Sequence, residues 1–394
     1  MTITAMRAID RFLGVPLCWI SGIVHRMTAK PSVVHVRSIL VIKFFGLGSI
    51  LLATPTLQSL RTKYPHSRIV LLSFSQNEEL LPLIPSVDEY WLIDPRSFAS
   101  FLTSFIRVFV LLLTSNIDVV LDLEFFSKFS TLVGALARPS MHVGFALPTR
   151  WRVWNLTHPI AFRTNQHVTM TFRDTLSPFG ISSNRTLRPS LKASGGRSTE
   201  QIVDRSLNER TDIICINPNA GRTSLDRRWS RNRFAQTAAI LRKEIPTALF
   251  CFTGAPGERE YVQSIIARIG GGPDRIVNLA GRLSLKELIA LFSEASMLIT
   301  NDSGPMHLAA AVDLPTVAIF GPESPEFYGP VGNSSINLYA SLPCSPCLNV
   351  YDAKKFICPI QQQCLRSISV EEIVAAARIL MEQESPAPLM EAFA

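Results

Sequence analysis

Met297-Leu-Ile-Thr-Asn-Asp-Ser-Gly-Pro-Met-His-Leu-Ala-Ala-Ala311 passes from a short apolar run through a polar turn into an alanine-rich stretch. A run of this length predicts a buried strand ending at Thr300, and the stretch from about Gly304 predicts a helix. Asp302, Ser303 and Gly304 then lie at the helix N-terminus, where unpaired backbone N–H groups and the helix dipole attract an anion such as phosphate. Gly304 lets a ligand approach the backbone closely, and His307 sits one turn into the helix. Standing alone, Asp302 could be a helix cap and His307 a core residue.

The same strand–turn–helix unit recurs on both sides. Upstream in this half come Ile213-Ile-Cys-Ile-Asn217, a helix over 232–243, Ala248-Leu-Phe-Cys-Phe-Thr253, a helix over 258–269, Ile276-Val-Asn278 and a helix over 285–295. Downstream, a helix over 306–312 leads to Thr316-Val-Ala-Ile-Phe320. The first half opens with Ser38-Ile-Leu-Val-Ile-Lys43 and the loop Phe44-Phe-Gly-Leu-Gly-Ser49, followed by a helical stretch through Tyr64. Arg68-Ile-Val-Leu-Leu-Ser73, a helix near Glu78, Glu89-Tyr-Trp-Leu-Ile93, a long apolar helix over 98–113 and Asp118-Val-Val-Leu-Asp122 complete it. Short apolar strands alternating with helices predict parallel, doubly wound α/β sheets. Residues 181–210, rich in Ser, Asn, Gly and Arg, read as a linker. The expected division is residues 1–38, 39–190 and 191–394, with two Rossmann-like domains and a ligand cleft between them.

With 394 residues, 47% hydrophobic and 18% charged, the chain is large enough for two cores and too apolar to be disordered. Its 39 basic and 31 acidic side chains give a net charge of +8, which asks for an anionic partner. Mean hydropathy is +0.22. No stretch reaches the ~18–20 uncharged apolar residues of a spanning helix. Residues 1–38 carry Arg7, Arg11, Arg26, Lys30 and Arg37 against Asp10 alone, around an apolar run from Phe12 to Val24 that Pro16 would kink or restart. The apolar positions share a helical face, so this segment reads either as an amphipathic helix on an anionic membrane surface or as a helix packed on the protein body. Further arginines cluster at Arg150, Arg152, Arg163 and Arg173, and at Arg222 to Arg233. No nucleic-acid-binding motif accompanies them, which excludes nucleic acid as the expected partner.

Three strand ends in the second half carry ligand-type groups. Besides Asp302 to His307, Thr223, Arg227 and Arg228 follow the first strand, with Arg227 and Arg228 placed for a diphosphate, and Glu258 follows the second, placed for ribose or sugar hydroxyls.

Together these segments resemble glycosyltransferase family 9, the ADP-heptose:lipopolysaccharide heptosyltransferases. The resemblance runs from about Ile39 to Val374, and Asn301-Asp-Ser-Gly-Pro-Met-His-Leu-Ala309 is its most specific part. Asp122-Leu-Glu124 with Lys128, and Val143-Gly-Phe145, also fit the family. It implies a GT-B arrangement of two Rossmann-like domains, and inverting transfer of a heptose or related sugar from an ADP-linked donor to a lipid-linked glycan in lipopolysaccharide core synthesis. It implies no cofactor and no essential metal. Asp302, Ser303, Gly304, His307, Thr223, Arg227 and Glu258 would hold the donor. Lys128 would face the acceptor. The expected location is the cytoplasm, peripherally on the inner face of the bacterial inner membrane.

The chain departs from the family at one position: Ser49 stands where an Asp, the presumed general base, follows the second glycine of the first loop. A serine hydroxyl is no base near pH 7. Glu124, then Asp122, are the carboxylates expected to replace it, or the substrate's phosphate takes the proton. Ser49 with Gly46 and Gly48 would bind an acceptor phosphate. Loss of the Asp also leaves open a non-catalytic sugar-nucleotide or glycolipid binder, and the architecture leaves open another nucleotide-sugar enzyme. Cys344, Cys347, Cys358 and Cys364, in the Cys-rich loop 343–365, are spaced as a structural zinc site is, with disulfides the lesser alternative in a cytosolic chain.

Overall fold

A computed structural model describes residues 14–27, 35–125, 127–146, 152–182, 188–192, 197–204, 211–221, 225–272, 274–332, 334–348 and 358–384. The chain divides into two compact units, residues 1–193 and 194–394.

The first unit runs α1 (Gly14–Met27), β1 (Ser38–Ile42), α2 (Leu47–Lys63), β2 (Arg68–Phe74), β3 (Glu89–Ile93), α3 (Phe98–Thr114), β4 (Val119–Asp122), α4 (Lys128–Leu136), β5 (Met141–Ala146), β6 (His158–Ala161) and α5 (Val168–Asp174). Its six strands are all parallel, in the order β3-β2-β1-β4-β5-β6. β1 is buried at every position, as a central parallel strand covered on both faces must be. Leu40, Ile42, Val70, Leu72 and Val120 on the strands meet Val108, Leu112 and Val133 on α3 and α4. The helix expected near Glu78 is replaced by two short 3₁₀ turns, Ser75–Asn77 and Leu81–Leu83. Pro82 and Pro85 interrupt any helix there, and Asn77 instead donates to Phe44 O and Ser73 Oγ. Pro16 falls in the first turn of α1, where its missing N–H costs nothing.

The second unit contains α6 (Thr199–Val203), β7 (Ile213–Asn217), α7 (Arg231–Glu244), β8 (Leu249–Phe252), α8 (Arg259–Ile266), β9 (Ile276–Asn278) and α9 (Leu285–Glu294). There follow β10 (Met297–Asn301), α10 (Gly304–Ala311), β11 (Thr316–Phe320), α11 (Pro325–Tyr328), β12 (Ser335–Tyr339), α12 (Gln363–Arg366) and α13 (Val370–Glu384). Its strand order, β12-β11-β10-β7-β8-β9, repeats that of the first sheet with the same sense of winding. The helix expected over 232–243 begins at Arg231, with Ser230 as its N-cap. A 3₁₀ turn at Leu225–Arg227 precedes Trp229, whose ring is buried among Ile214, Phe234 and Ile373 in the core.

In each sheet the winding direction reverses beside the first strand, between β1 and β4 and between β7 and β10. Crossover helices leave in opposite directions at that point, so the loops there are free to take a ligand. Those loops carry the expected site residues other than Glu258, which follows β8.

Candidate active site

In the first unit the loops after β1 and β4 are tied by carboxylates. Glu124, which is buried, accepts at Oε1 from Lys43 Nζ at 2.8 Å, Phe44 N at 2.7 Å and Phe45 N at 3.1 Å. Its Oε2 accepts no hydrogen bond among the described residues. Asp122, fully buried, accepts from Glu124 N at Oδ1, and from Ser130, Thr131 and Arg152 at Oδ2. Four donors hold Asp122 and none of it is exposed, so it serves as buried scaffold out of a substrate's reach, against the expectation of it as a reserve base. Arg152 reaches the same knot, donating also to Thr131 Oγ1 and to the carbonyls of Glu124 and Phe125. Sequence reading took it for part of an exposed basic cluster. Its burial at 2% exposure makes it a structural cation instead.

Gly46, at φ +84°, is the N-cap of α2 and makes the turn that a residue with a Cβ would strain. No side chain caps this helix. Gly48 and Ser49 lie half-buried in its first turn, which leaves backbone donors for an anion. Lys128 begins α4, and its stem lies against Gly14 of α1.

In the second unit three loops are laced together by amides. Asn217 Nδ2 donates to Thr253 Oγ1 at 3.1 Å, and Asn219 Nδ2 donates to Thr253 O at 3.0 Å. Asn301 donates to Asn219 O and accepts from Trp229 N. These buried side chains went unassigned in the sequence reading. Their signal was three Asn and one Thr at or just past strand ends, where loops must find hydrogen bonds without a ladder.

Upon this lattice, Arg227 Nη1 lies 3.2 Å from Asp302 Oδ2, with both side chains nearly buried. Arg228 Nη2 lies 3.3 Å from Glu258 Oε1, and its guanidinium stacks 4.2 Å from the Tyr261 ring centroid. Glu258 Oε2 also accepts from Ala255 N, so this residue shapes its own turn. Ser303 is the N-cap of α10, yet its side chain caps nothing there, and Pro305 occupies the first turn. The open N-terminus at Gly304 is thus an unfilled anion-type position beside a guanidinium. His307, buried, follows one turn on. Tyr328 lies near Asp302 and Glu323. Burial, and then the charges of Glu323 and Asp302, push its phenol well above the usual range. Thr223 falls outside the described residues.

The four cysteines of the 343–365 loop line one cavity of about 70 Å³ with Asp226 and Gln362. Gln362 N donates to Cys358 Sγ at 3.1 Å. Burial, and then the neighbouring thiols, push the Cys347 thiol up to about 11. Among the described residues no three His, Cys, Asp or Glu side chains form a group that could hold a metal ion, so the zinc spacing brings the thiols together without forming a ligand set.

Comparison with known proteins follows the same lines. The profile of glycosyltransferase family 9 (heptosyltransferase) matches residues 106–357. Lipopolysaccharide heptosyltransferase 3 of Escherichia coli is 24% identical over 347 residues, which cover 86% of this chain and 96% of that protein. Lipooligosaccharide heptosyltransferase 2 of Campylobacter jejuni is 29% identical over 172 residues, 43% of this chain, and the chain spans about half that relative's length, 51%. The solved structure of ADP-heptose lipopolysaccharide heptosyltransferase II of E. coli superposes with a TM-score of 0.70 at 21% identity, covering 88% of this chain and 99% of that one. This likeness spans both Rossmann-like units and establishes the fold. The match to the profile extends over well over half of the sequence, and the chain belongs to glycosyltransferase family 9, the heptosyltransferase family.

Proposed function

We propose that the chain transfers a heptose or related sugar from an ADP-linked donor to a hydroxyl of a lipid-linked glycan of the lipopolysaccharide core, with inversion at the anomeric carbon. The observation that carries this reading is the open N-terminus of α10 at Ser303–Gly304 with Arg227 held beside it by Asp302. A nucleoside diphosphate is the anion such a position suits, since backbone dipoles and a guanidinium are fixed before the ligand arrives. The printed names of the relatives supply the sugar and the acceptor class.

In this reading the acceptor oxygen forms a bond to the donor's anomeric carbon as the bond from that carbon to the β-phosphate oxygen breaks. ADP leaves with the electron pair. Arg227 and the α10 N-terminus stabilise the charge gathering on the diphosphate. The acceptor proton passes to Glu124 Oε2, the carboxylate oxygen left without a partner when Oε1 is taken by Lys43 and the β1 loop. Ser49 with the Gly46 and Gly48 backbone holds an acidic group of the acceptor, and Glu258 and His307 contact the donor. Because the acceptor is lipid-linked, the enzyme works peripherally at the inner face of the bacterial inner membrane.

The test is turnover of ADP-heptose with a lipid A–core acceptor, read as ADP release and acceptor mass. Product of the acceptor mass plus one heptose supports the proposal. Tight ADP-heptose binding with no turnover identifies a binder instead, and stabilisation by a UDP-sugar but not an ADP-sugar overturns the donor assignment.

A further inference from the structure

Helix α3 carries Phe98, Leu102, Ile106, Val110 and Leu113 on its outer face, each between 45% and 69% exposed. These positions recur at helical spacing, so they form one continuous apolar stripe about 25 Å long by the 1.5 Å rise per residue. The opposite side of the helix is spent on the core through Val108 and Leu112. Helix α1 repeats the arrangement. Cys18 is buried and Gly22 sits under Trp154, while Leu17, Trp19, Ile20 and Ile23 are exposed. Both helices pack against α4, and the three form one helical layer. Right-handed crossovers put that layer on the face of the sheet opposite α2 and α5. Soluble surfaces scatter such side chains singly, whereas this layer collects most of the chain's exposed large hydrophobics.

We infer that the outer face of α3, continuous with that of α1, is the surface by which the first unit lies on an anionic lipid bilayer. Charge decides the occupant. Residues 1–37 hold five basic side chains and one acid, and no Asp or Glu occurs between Asp10 and Glu78 or between Asp94 and Asp118. Arg107 borders the α3 stripe, where its stem can lie on acyl chains while the head meets phosphates. Among the described residues no helix is long and apolar enough to cross a membrane, so both helices lie in the plane of the interface. The biological sense of this surface rests on the lipid-linked acceptor proposed above, but its occupancy can be read without donor or acceptor.

The full chain is floated with vesicles of phosphatidylethanolamine and phosphatidylglycerol, and with phosphatidylcholine alone. Expected is binding to the anionic vesicles that weakens with salt, and at least ~10-fold weaker partition for the Ile106→Asp, Val110→Asp double variant, with the thermal midpoint and circular dichroism retained. A second variant, Ile106→Trp, keeps the stripe apolar, and its fluorescence should be quenched by brominated lipid. Absence of binding by the natural chain, equal binding by the aspartate variant, or an unquenched Trp at 106 each overturns the inference. So does a shift from dimer to monomer in the aspartate variant with vesicle binding unchanged, which would make a second copy the occupant. Vesicle binding without heptose transfer would leave this surface standing and sink the proposed activity alone, and the converse result would do the reverse.

Discussion

The ammonium of Lys43 lies 2.8 Å from Oε1 of Glu124, joining the first residue after β1 to the loop after β4 inside a buried environment. Two backbone N–H groups converge on the same oxygen. The pair therefore does two things at once. It shapes the glycine turn that begins α2, and it leaves the second carboxylate oxygen as an acceptor unpartnered among the described residues, at a switch point of the sheet. Next to it, Asp122 gives up both oxygens to Ser130, Thr131, Arg152 and the Glu124 backbone, and serves as scaffold.

Replacing Glu124 by Gln separates these duties. The amide oxygen still accepts from Phe44 and Phe45, so the loop keeps its form, but the proton acceptor is gone. Expected is a fall in kcat of about 10²–10⁴-fold with the donor KM within a few-fold. Steady-state ADP release checks it. Activity within a few-fold of the natural chain would assign the proton to the substrate's phosphate.

Arg152 provides the clearest stability prediction. Arg152→Met strips the cation paired with a carboxylate that has no exposure and takes a donor from the Glu124 and Phe125 carbonyls. Breaking a buried pair from one side costs about 3–5 kcal/mol. Urea denaturation should show that loss. A change below ~1 kcal/mol would mean the knot is wet and replaceable.

The strand–helix alternation was legible because parallel strands buried on both faces read as unbroken apolar runs, and β1, β2, β4, β7, β8, β10 and β11 all do. Three strands were not: the edge strands β6 (His158–Ala161) and β12 (Ser335–Tyr339) are half-exposed and carry no such run, and the inner strand β5 is broken by Gly144. In the site, Asp302, Ser303 and Gly304 were readable because a strand end followed by Gly-Pro fixes where a helix starts. The role of Arg152 was not readable, since only the fold shows that an arginine among Trp and Val turns inward to Asp122. Asn217, Asn219 and Asn301 act as a lattice only through pairings 34 to 82 residues apart, and spacing along the chain carries no trace of those.

Acid should weaken the second unit through Glu287. It closes the capping box of α9 with Ser284 and pairs with Arg197. Its carboxyl is held down at about 2, first by the Arg197 guanidinium and then by the Ser284 backbone N–H. A depressed carboxylate stabilises the fold above its unfolded value, near 4.5, and that contribution drains away as pH falls toward 2. Because Arg197 is half-exposed, solvent screens the pair, and Glu287→Gln should cost about 1 kcal/mol at pH 7. Urea midpoints of the two proteins should converge between pH 4.5 and 2. A gap independent of pH would assign the effect to packing.

Arg227 and Asp302 test the donor site itself. Arg227→Ala removes a charge-assisted contact to the diphosphate, worth about 1–3 kcal/mol. It also bares the Asp302 carboxylate, which is 4% exposed and would then repel the phosphates. Both effects weaken binding, so ADP affinity should fall by roughly 10–150-fold in calorimetric titration, toward the upper end of that range. Asp302→Asn alone removes the anchor that aims the guanidinium but also a negative charge, and its effect should be smaller. The double variant is the informative one. With the bare carboxylate gone, ADP should bind more tightly to Arg227→Ala, Asp302→Asn than to Arg227→Ala alone, giving a coupling of opposite sign to simple addition. If the two losses add, Asp302 does not face the diphosphate, and the nucleotide sits elsewhere on the strand ends of this sheet.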